Sequence, residues 1–142
     1  MRTFNFNKYV YAPVMLLLFG SAANAAPCTN SSLNGAYGFQ EQGEISEFFS
    51  EFRSVGVLTF DGKGNATMAV TVWYSNFQVP DFQPGFPVTY AVSPDCRFSF
   101  TYTGNGEVFS GVIVNGGQKL LWLETSGDPM RTGQAEKVRS NQ

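Results

Sequence analysis

The sequence predicts an all-β fold, an eight-stranded antiparallel up-and-down β-barrel carrying one disulfide, and three observations support it. From Gly35 onward, β-branched and aromatic residues recur at every second position, the period of a strand with one buried face. Gly, Asn, Asp and Pro break these runs every eight to twelve positions, as turns require. The chain has only two cysteines, Cys28 and Cys96, an even count that reads as a bridge in an exported protein.

Residues 1–25 are set apart from the fold. Arg2 and Lys8 precede an apolar run from Val10 to Phe19, and Ala23-Asn24-Ala25 follows. A positive start, a short apolar centre and small residues before the cut make a cleaved signal peptide. The apolar run of ten residues is about half of the roughly 20 that a spanning helix needs. Pro27 directly before Cys28 also argues against lipid attachment. The mature chain is therefore expected to be periplasmic or secreted, and not membrane-spanning. It comprises residues 26–142, 117 in all, enough for a single β-barrel domain.

Eight strands follow in order, at 35–42, 53–60, 66–75, 86–92, 96–103, 107–114, 118–125 and 130–138. Closing them into a barrel removes two exposed edges that would otherwise invite aggregation. Gly38, Gly56, Gly111 and Gly133 interrupt strands and are candidates for the sharp bends of a small barrel. Three connections carry tight-turn chemistry: Asp61-Gly62-Lys63-Gly64-Asn65, Ser93-Pro94-Asp95 and Asn115-Gly116-Gly117,. The first has too few oxygen ligands for a calcium loop.

Two connections are longer and aromatic. Residues 43–52 carry Ile45, Phe48, Phe49 and Phe52, and residues 76–85 carry Phe77, Val79 and Phe82. In the first, the apolar spacing i, i+3, i+4, i+7 predicts a short helical lid over 44–52, after strand one.

In an up-and-down barrel, odd-numbered connections share one end and even-numbered ones the other. The three tight turns fall after strands two, four and six, so they lie together with both cysteines. The aromatic loops lie at the opposite end, with Glu41, Arg53, Tyr74, Tyr102, Glu124 and Arg131 at the strand ends facing them. Period two also places Tyr37 and Phe39 with Glu41, and Trp122 with Glu124, on common faces.

Composition narrows the chemistry. The mature chain has seven basic and eleven acidic residues, a net charge of −4, and no basic cluster, so no nucleic-acid partner is expected. The chain has no histidine, which excludes Ser/His/Asp and Cys/His nucleophile systems and histidine-ligated metal. No phosphate-cradling glycine loop opens a helix. Neither cofactor nor metal is expected.

The strings Gly35-Ala36-Tyr37-Gly38-Phe39, Val55-Gly56-Val57-Leu58-Thr59-Phe60-Asp61-Gly62-Lys63-Gly64-Asn65 and Tyr90-Ala91-Val92-Ser93-Pro94-Asp95-Cys96, with Gly133-Gln134-Ala135 near the end, resemble a group of small exported bacterial β proteins of unassigned function. The resemblance spans most of the mature chain. It implies a bacterial exported β domain and brings no catalytic residue with it. The chain departs from the group mainly in its phenylalanine-rich loops, which places specificity there. In architecture alone, the expected barrel is similar to the lipocalin and allene oxide cyclase barrels.

The leading functional expectation is binding of a small apolar or aromatic molecule at the aromatic-loop end. Phe48, Phe49, Phe52, Phe77, Phe82 and Phe86 would form the rim, with Tyr37, Phe39, Tyr74, Tyr102 and Trp122 below,. A second expectation, ranked below it, is a cofactor-independent isomerase or cyclase using Glu124, Glu41, Tyr102 and Arg131. A third is an interaction module that buries the phenylalanine loops against another protein or a second copy of the chain.

Overall fold

A computed structural model describes residues 26–45, 50–75, 78–126 and 131–139, and among these the side chains of 45, 50 and 78–84 are left aside. Residues 1–25, the expected signal segment, therefore lie outside the described residues, as do Phe48, Phe49 and Phe77.

Eight strands form a closed antiparallel barrel in sequence order: β1 (Asn34–Ile45), β2 (Ser50–Asp61), β3 (Asn65–Tyr74), β4 (Gln78–Val92), β5 (Arg97–Tyr102), β6 (Val108–Val114), β7 (Lys119–Glu124) and β8 (Arg131–Lys137), with β8 pairing back onto β1. Helical structure among the described residues amounts to two 3-10 turns, Asn30–Ser32 and Asn115–Gly117.

The longest strands show where the sequence reading needs correction. The spacing that predicts a helix over 44–52 is overridden. Glu44 and Ile45 extend β1, and Ser50 to Phe52 begin β2, with Gly43 opposite Phe52 and Ile45 opposite Ser50. Phe52 also faces Tyr74 across β3. Pairing of β1 with β2 here, and of Phe52 with β3 as well, gives these residues cross-strand partners, whereas a short helix needs packing to persist,. Likewise, most of 76–85 is strand rather than loop. Gln78, Val79 and Gln83 pair with Trp73, Val72 and Val70, with register shifts between Met68, Val70 and Val72 that mark bulges.

The tight-turn end is sealed. Asp61 Oδ1 accepts from the backbone N–H groups of Lys63, Gly64 and Asn65 at 2.7, 3.0 and 3.0 Å, and Oδ2 from Asn65 Nδ2 at 3.0 Å. This carboxylate therefore staples its turn. Those bonds, the one from Asn65 N–H foremost, hold its pKa down at about 2,. The segment before β1 crosses the same end. Cys28 is disulfide-bonded to Cys96, with Cα atoms 5.0 Å apart, and fully buried Leu33 plugs the opening. Tyr90 Oη donates to the carbonyls of Asn30 and Leu33 at 3.0 and 3.1 Å. Tyr37 Oη donates to Gly117 O at 2.7 Å.

The core is aromatic and its curvature rests on glycine. A Cβ at Gly56 would stand 2.6 Å from the Phe39 ring, one at Gly111 2.7 Å from the Phe98 ring, and one at Gly133 2.2 Å from the Trp122 indole. Three of the four glycines expected to bend the strands thus leave room for a ring from the neighbouring strand. Gly38 differs, since a Cβ there would meet only Val138, at 3.9 Å.

Two outcomes follow for stability. Gly133→Ala should lower unfolding free energy by about 1–3 kcal/mol through overpacking, while Gly38→Ala should shift it by no more than about 0.5 kcal/mol. Denaturant midpoints of the two variants test this, and equal midpoints would contradict it. Opening the Cys28–Cys96 bridge, which spans 68 residues, should cost about 4 kcal/mol in the loop-entropy picture. Comparing denaturation of the oxidised and reduced protein gives that value directly.

Candidate functional site

Above the aromatic core, at the end opposite the disulfide, the inward positions change character. Strand alternation brings Glu41 from β1, Ser54 from β2, Glu124 from β7 and Arg131 from β8 into the interior, and all four are buried. Glu41 is 5% exposed, and three neutral donors hold its carboxylate. Trp122 Nε1 donates to Oε1 at 2.9 Å, Tyr102 Oη to Oε1 at 3.4 Å, and Ser54 Oγ to Oε2 at 3.1 Å. Burial pushes the Glu41 pKa above the ordinary carboxylate value, outweighing the opposing pull of these donors and of Arg131,. Burial, and then the charge of Glu41, also push the Tyr102 hydroxyl far up.

Arg131 has different partners. Its Nε donates to Glu124 Oε2 at 2.7 Å, and its Nη2 pairs with Glu107 Oε2. The guanidinium lies 5.1 Å from the ring centroids of both Phe52 and Phe109, a cation held between two π faces. Burial alone would lower its pKa, but pairing with Glu124 and Glu107 raises it and keeps the group charged.

These groups border a cavity of about 300 Å³, lined by Glu41, Phe52, Ser54, Met68, Val70, Val72, Tyr74, Phe86, Pro87, Tyr102, Gly104, Asn105, Glu107 and Arg131. Its wall is aliphatic and aromatic, and its polar groups converge from one side. Other depressions lie on the outer surface. One runs past Arg53, Val55, Leu121 and Gln134, and lacks an enclosing apolar wall.

Of the residues singled out in the sequence, Glu41, Phe52, Tyr74, Phe86, Tyr102 and Arg131 do meet at this cavity. Phe86 is 44% exposed at its edge. Glu124 stands behind Arg131 as its partner. Trp122 supports Glu41 from the core and does not line the cavity, while Phe39 packs against Trp122 at 6.2 Å. Tyr37 lies deep toward the sealed end, against Phe60 at 5.3 Å. These three belong to the core rather than to the cavity wall. Arg53 points outward, exposed, and pairs with Glu51 at 3.4 Å. Phe82 lies in β4. Three polar members, Ser54, Asn105 and Glu107, were not anticipated. Ser54 occupies the inward row Phe52, Ser54, Gly56, Leu58, Phe60, so period two was signal enough. Glu107 lies in the connection after β5, at the same end as the other odd-numbered links.

The raised Glu41 pKa has a stability consequence. The folded protein holds this proton more tightly than the unfolded chain, so the associated stability is complete below the ordinary value of 4.5. It declines as pH rises from there through the folded-state pKa. Glu41→Gln keeps the shape and lacks the titration. Its unfolding free energy should therefore lose this declining component, leaving the variant relatively more stable at neutral pH than at pH 4. Urea titrations of both proteins across pH 4–8 check this, and parallel curves would contradict it.

No family model matches the chain, and no curated protein matches it. Among solved structures, the chain is similar to a redesigned β-barrel, mFAP1, described as bound to DFHBI. The identity is 15% and the TM-score 0.40, over 76% of this chain and 97% of that one.

Proposed function

We propose that this chain is an exported barrel, periplasmic or secreted, that binds a small apolar or aromatic molecule at the end opposite its disulfide. The observation that carries this reading is the cavity of about 300 Å³ set against buried Glu41, Ser54 and Arg131. Protein interiors ordinarily fill such space with side chains. Here, among the described residues, space is kept at the level where buried Glu41, Ser54 and Arg131 lie. An apolar wall with a few convergent polar groups is the usual form of a small-molecule site. The volume lies at the low end for such sites, which suits a ligand of one or two rings. The apolar expectation draws on Phe52, Met68, Val70, Val72 and Phe86. The signal segment and the Cys28–Cys96 bridge support export into an oxidising compartment.

A second reading is favoured by one specific contact. Glu41, with its raised pKa, lines the cavity beside Tyr102, and a perturbed carboxylate in a cleft is a general acid/base candidate. A cofactor-free isomerisation of the bound molecule would use this pair, with Arg131 as a fixed positive charge.

Binding is tested with indole and naphthalene-sized fluorescent probes on the oxidised protein. Saturable binding is expected. Val70→Trp, which fills the cavity from β3, should weaken it at least about tenfold, equivalent to about 1.4 kcal/mol. Undiminished binding in a folded Val70→Trp variant, or no saturable binding to the native protein, would remove the proposal.

A further inference from the structure

Resting on the binding reading above, we infer that the ligand is a small organic cation: an ammonium group on an apolar or aromatic body, with the nitrogen seated against Glu41. Among the described residues, the charged groups that are buried or line the cavity at this end are Glu41, Glu107, Glu124 and Arg131, while Glu44, Glu51 and Arg53 are exposed. Arg131 is engaged by Glu124 and Glu107 and sandwiched between Phe52 and Phe109. Its two carboxylate partners outnumber it, so the cluster is net negative and repels an anionic ligand even though the guanidinium keeps N–H groups that they do not engage.

Glu41 is in the opposite condition. Its partners, Trp122, Tyr102 and Ser54, all donate hydrogen bonds and none is charged. A buried carboxylate without a cation in contact is costly. Glutamine would serve the same structural purpose, because its carbonyl accepts from Trp122 and Tyr102 and the Ser54 hydroxyl can turn to accept from its amide. What glutamate adds at this position is the capacity for charge. A ligand ammonium supplies the missing counterion, and the rings of Phe52, Tyr74, Phe86 and Tyr102 on the cavity wall add cation–π attraction to its body.

The pH behaviour then follows. Facing Glu41 are Tyr102 from β5, Trp122 from β7, Ser54 from β2 and the charge of Arg131 from β8, with Glu107 and Glu124 beyond Arg131. In the empty cavity, burial favours the protonated acid. An arriving ammonium favours the carboxylate, so the cation enters as the carboxyl proton leaves to solvent.

Three probes of similar shape test the inference on the oxidised protein: phenethylamine, benzyl alcohol and phenylacetate, followed by calorimetry. The amine should bind at least about tenfold tighter than the alcohol, and the anion most weakly. Below the folded-state pKa of Glu41, amine binding should release protons, read from the heat difference between two buffers of unlike ionisation enthalpy. Glu41→Gln should bring the amine down to the affinity of the alcohol. If the alcohol binds as well as the amine, or Glu41→Gln leaves the amine's advantage intact, the cation assignment is wrong while the pocket stands. If none of the three probes binds and the apolar probes do not either, both readings fall. The proton-release measurement uses the unaltered chain and decides the matter even where Glu41→Gln does not fold.

Discussion

The indole of Trp122 reaches across β8 to Glu41, and it does so because position 133 has no side chain. In the pairing register, Glu41 of β1 lies opposite Gly133 of β8, and Gly133 opposite Trp122 of β7. A Cβ at 133 would come within 2.4 Å of Trp122 Nε1, the atom that donates to Glu41 at 2.9 Å. One glycine therefore serves two purposes. It lets the barrel close tightly over a large ring, and it turns that ring's single polar atom toward the level of the interior where, among the described residues, the buried charged groups lie. Below this level Phe39, Phe98, Phe100 and Phe109 fill the barrel. Phe100 packs edge-on against Trp122 at 5.6 Å and stacks on Phe109 at 4.6 Å.

The polar layer above is hard to explain by stability alone. Four buried polar residues (Glu41, Ser54, Glu124 and Arg131) replace side chains that could have continued the aromatic packing. Buried ion pairs of this kind often contribute no more than well-packed apolar residues of equal volume. The Arg131–Glu124–Glu107 cluster limits its own cost through short contacts and two aromatic faces, and so forms a fixed block from β6 to β8. Glu41 is satisfied less completely, as donors neutralise its lone pairs but not its charge. The paired cluster and the acid without a cation in contact lie on the same side of the open space, facing an aliphatic and aromatic wall, and so make a polarity gradient across the cavity. Such a gradient orients a guest, as simple packing residues would not.

Most of the architecture was readable from the alternation of residues. The number of strands, their closed order and the sorting of turns by end all derive from period two and chain connectivity, though β1, β2 and β4 run longer than expected, and the cystine falls at the sealed end as that sorting requires. The helical reading of 44–52 failed for a definable reason. Ile45, Phe48, Phe49 and Phe52 satisfy helical spacing, yet Phe52 also heads the inward row of β2, and pairing with Gly43 and Tyr74 outweighs local periodicity. The site was legible to the extent that strand parity is. Glu41, Tyr102 and Arg131 lie on inward rows and meet, whereas Arg53 lies one residue out of phase with Phe52 and Ser54 and faces solvent. Parity shows a direction but not a depth. That is why Tyr37 and Phe39, on the same row as Glu41, turn out to be core. It cannot show cross-strand hydrogen bonds either, so the grip of Trp122 and Ser54 on Glu41 required coordinates.

The two ends of the barrel consequently have different physical roles. At one end Leu33 is fully buried, Tyr90 and Tyr37 tie their hydroxyls to backbone carbonyls, and the Cys28–Cys96 bridge fastens the crossing segment to the turn before β5. Every feature there removes freedom. At the other, β1, β2 and β4 run on past the level of Glu41, and the bulged pairing of β3 with β4 between Met68 and Val72 bends the sheet just where those residues line the cavity. Bulges locally disrupt a ladder and re-aim its side chains. The irregular pairing is thus confined to the wall of the cavity, while the regular pairing and the covalent bridge hold the opposite end. Bend and clamp therefore sit toward opposite ends of the barrel, so the cavity wall takes its shape where the β3–β4 ladder is irregular and the core keeps its register where the ladder is regular and bridged.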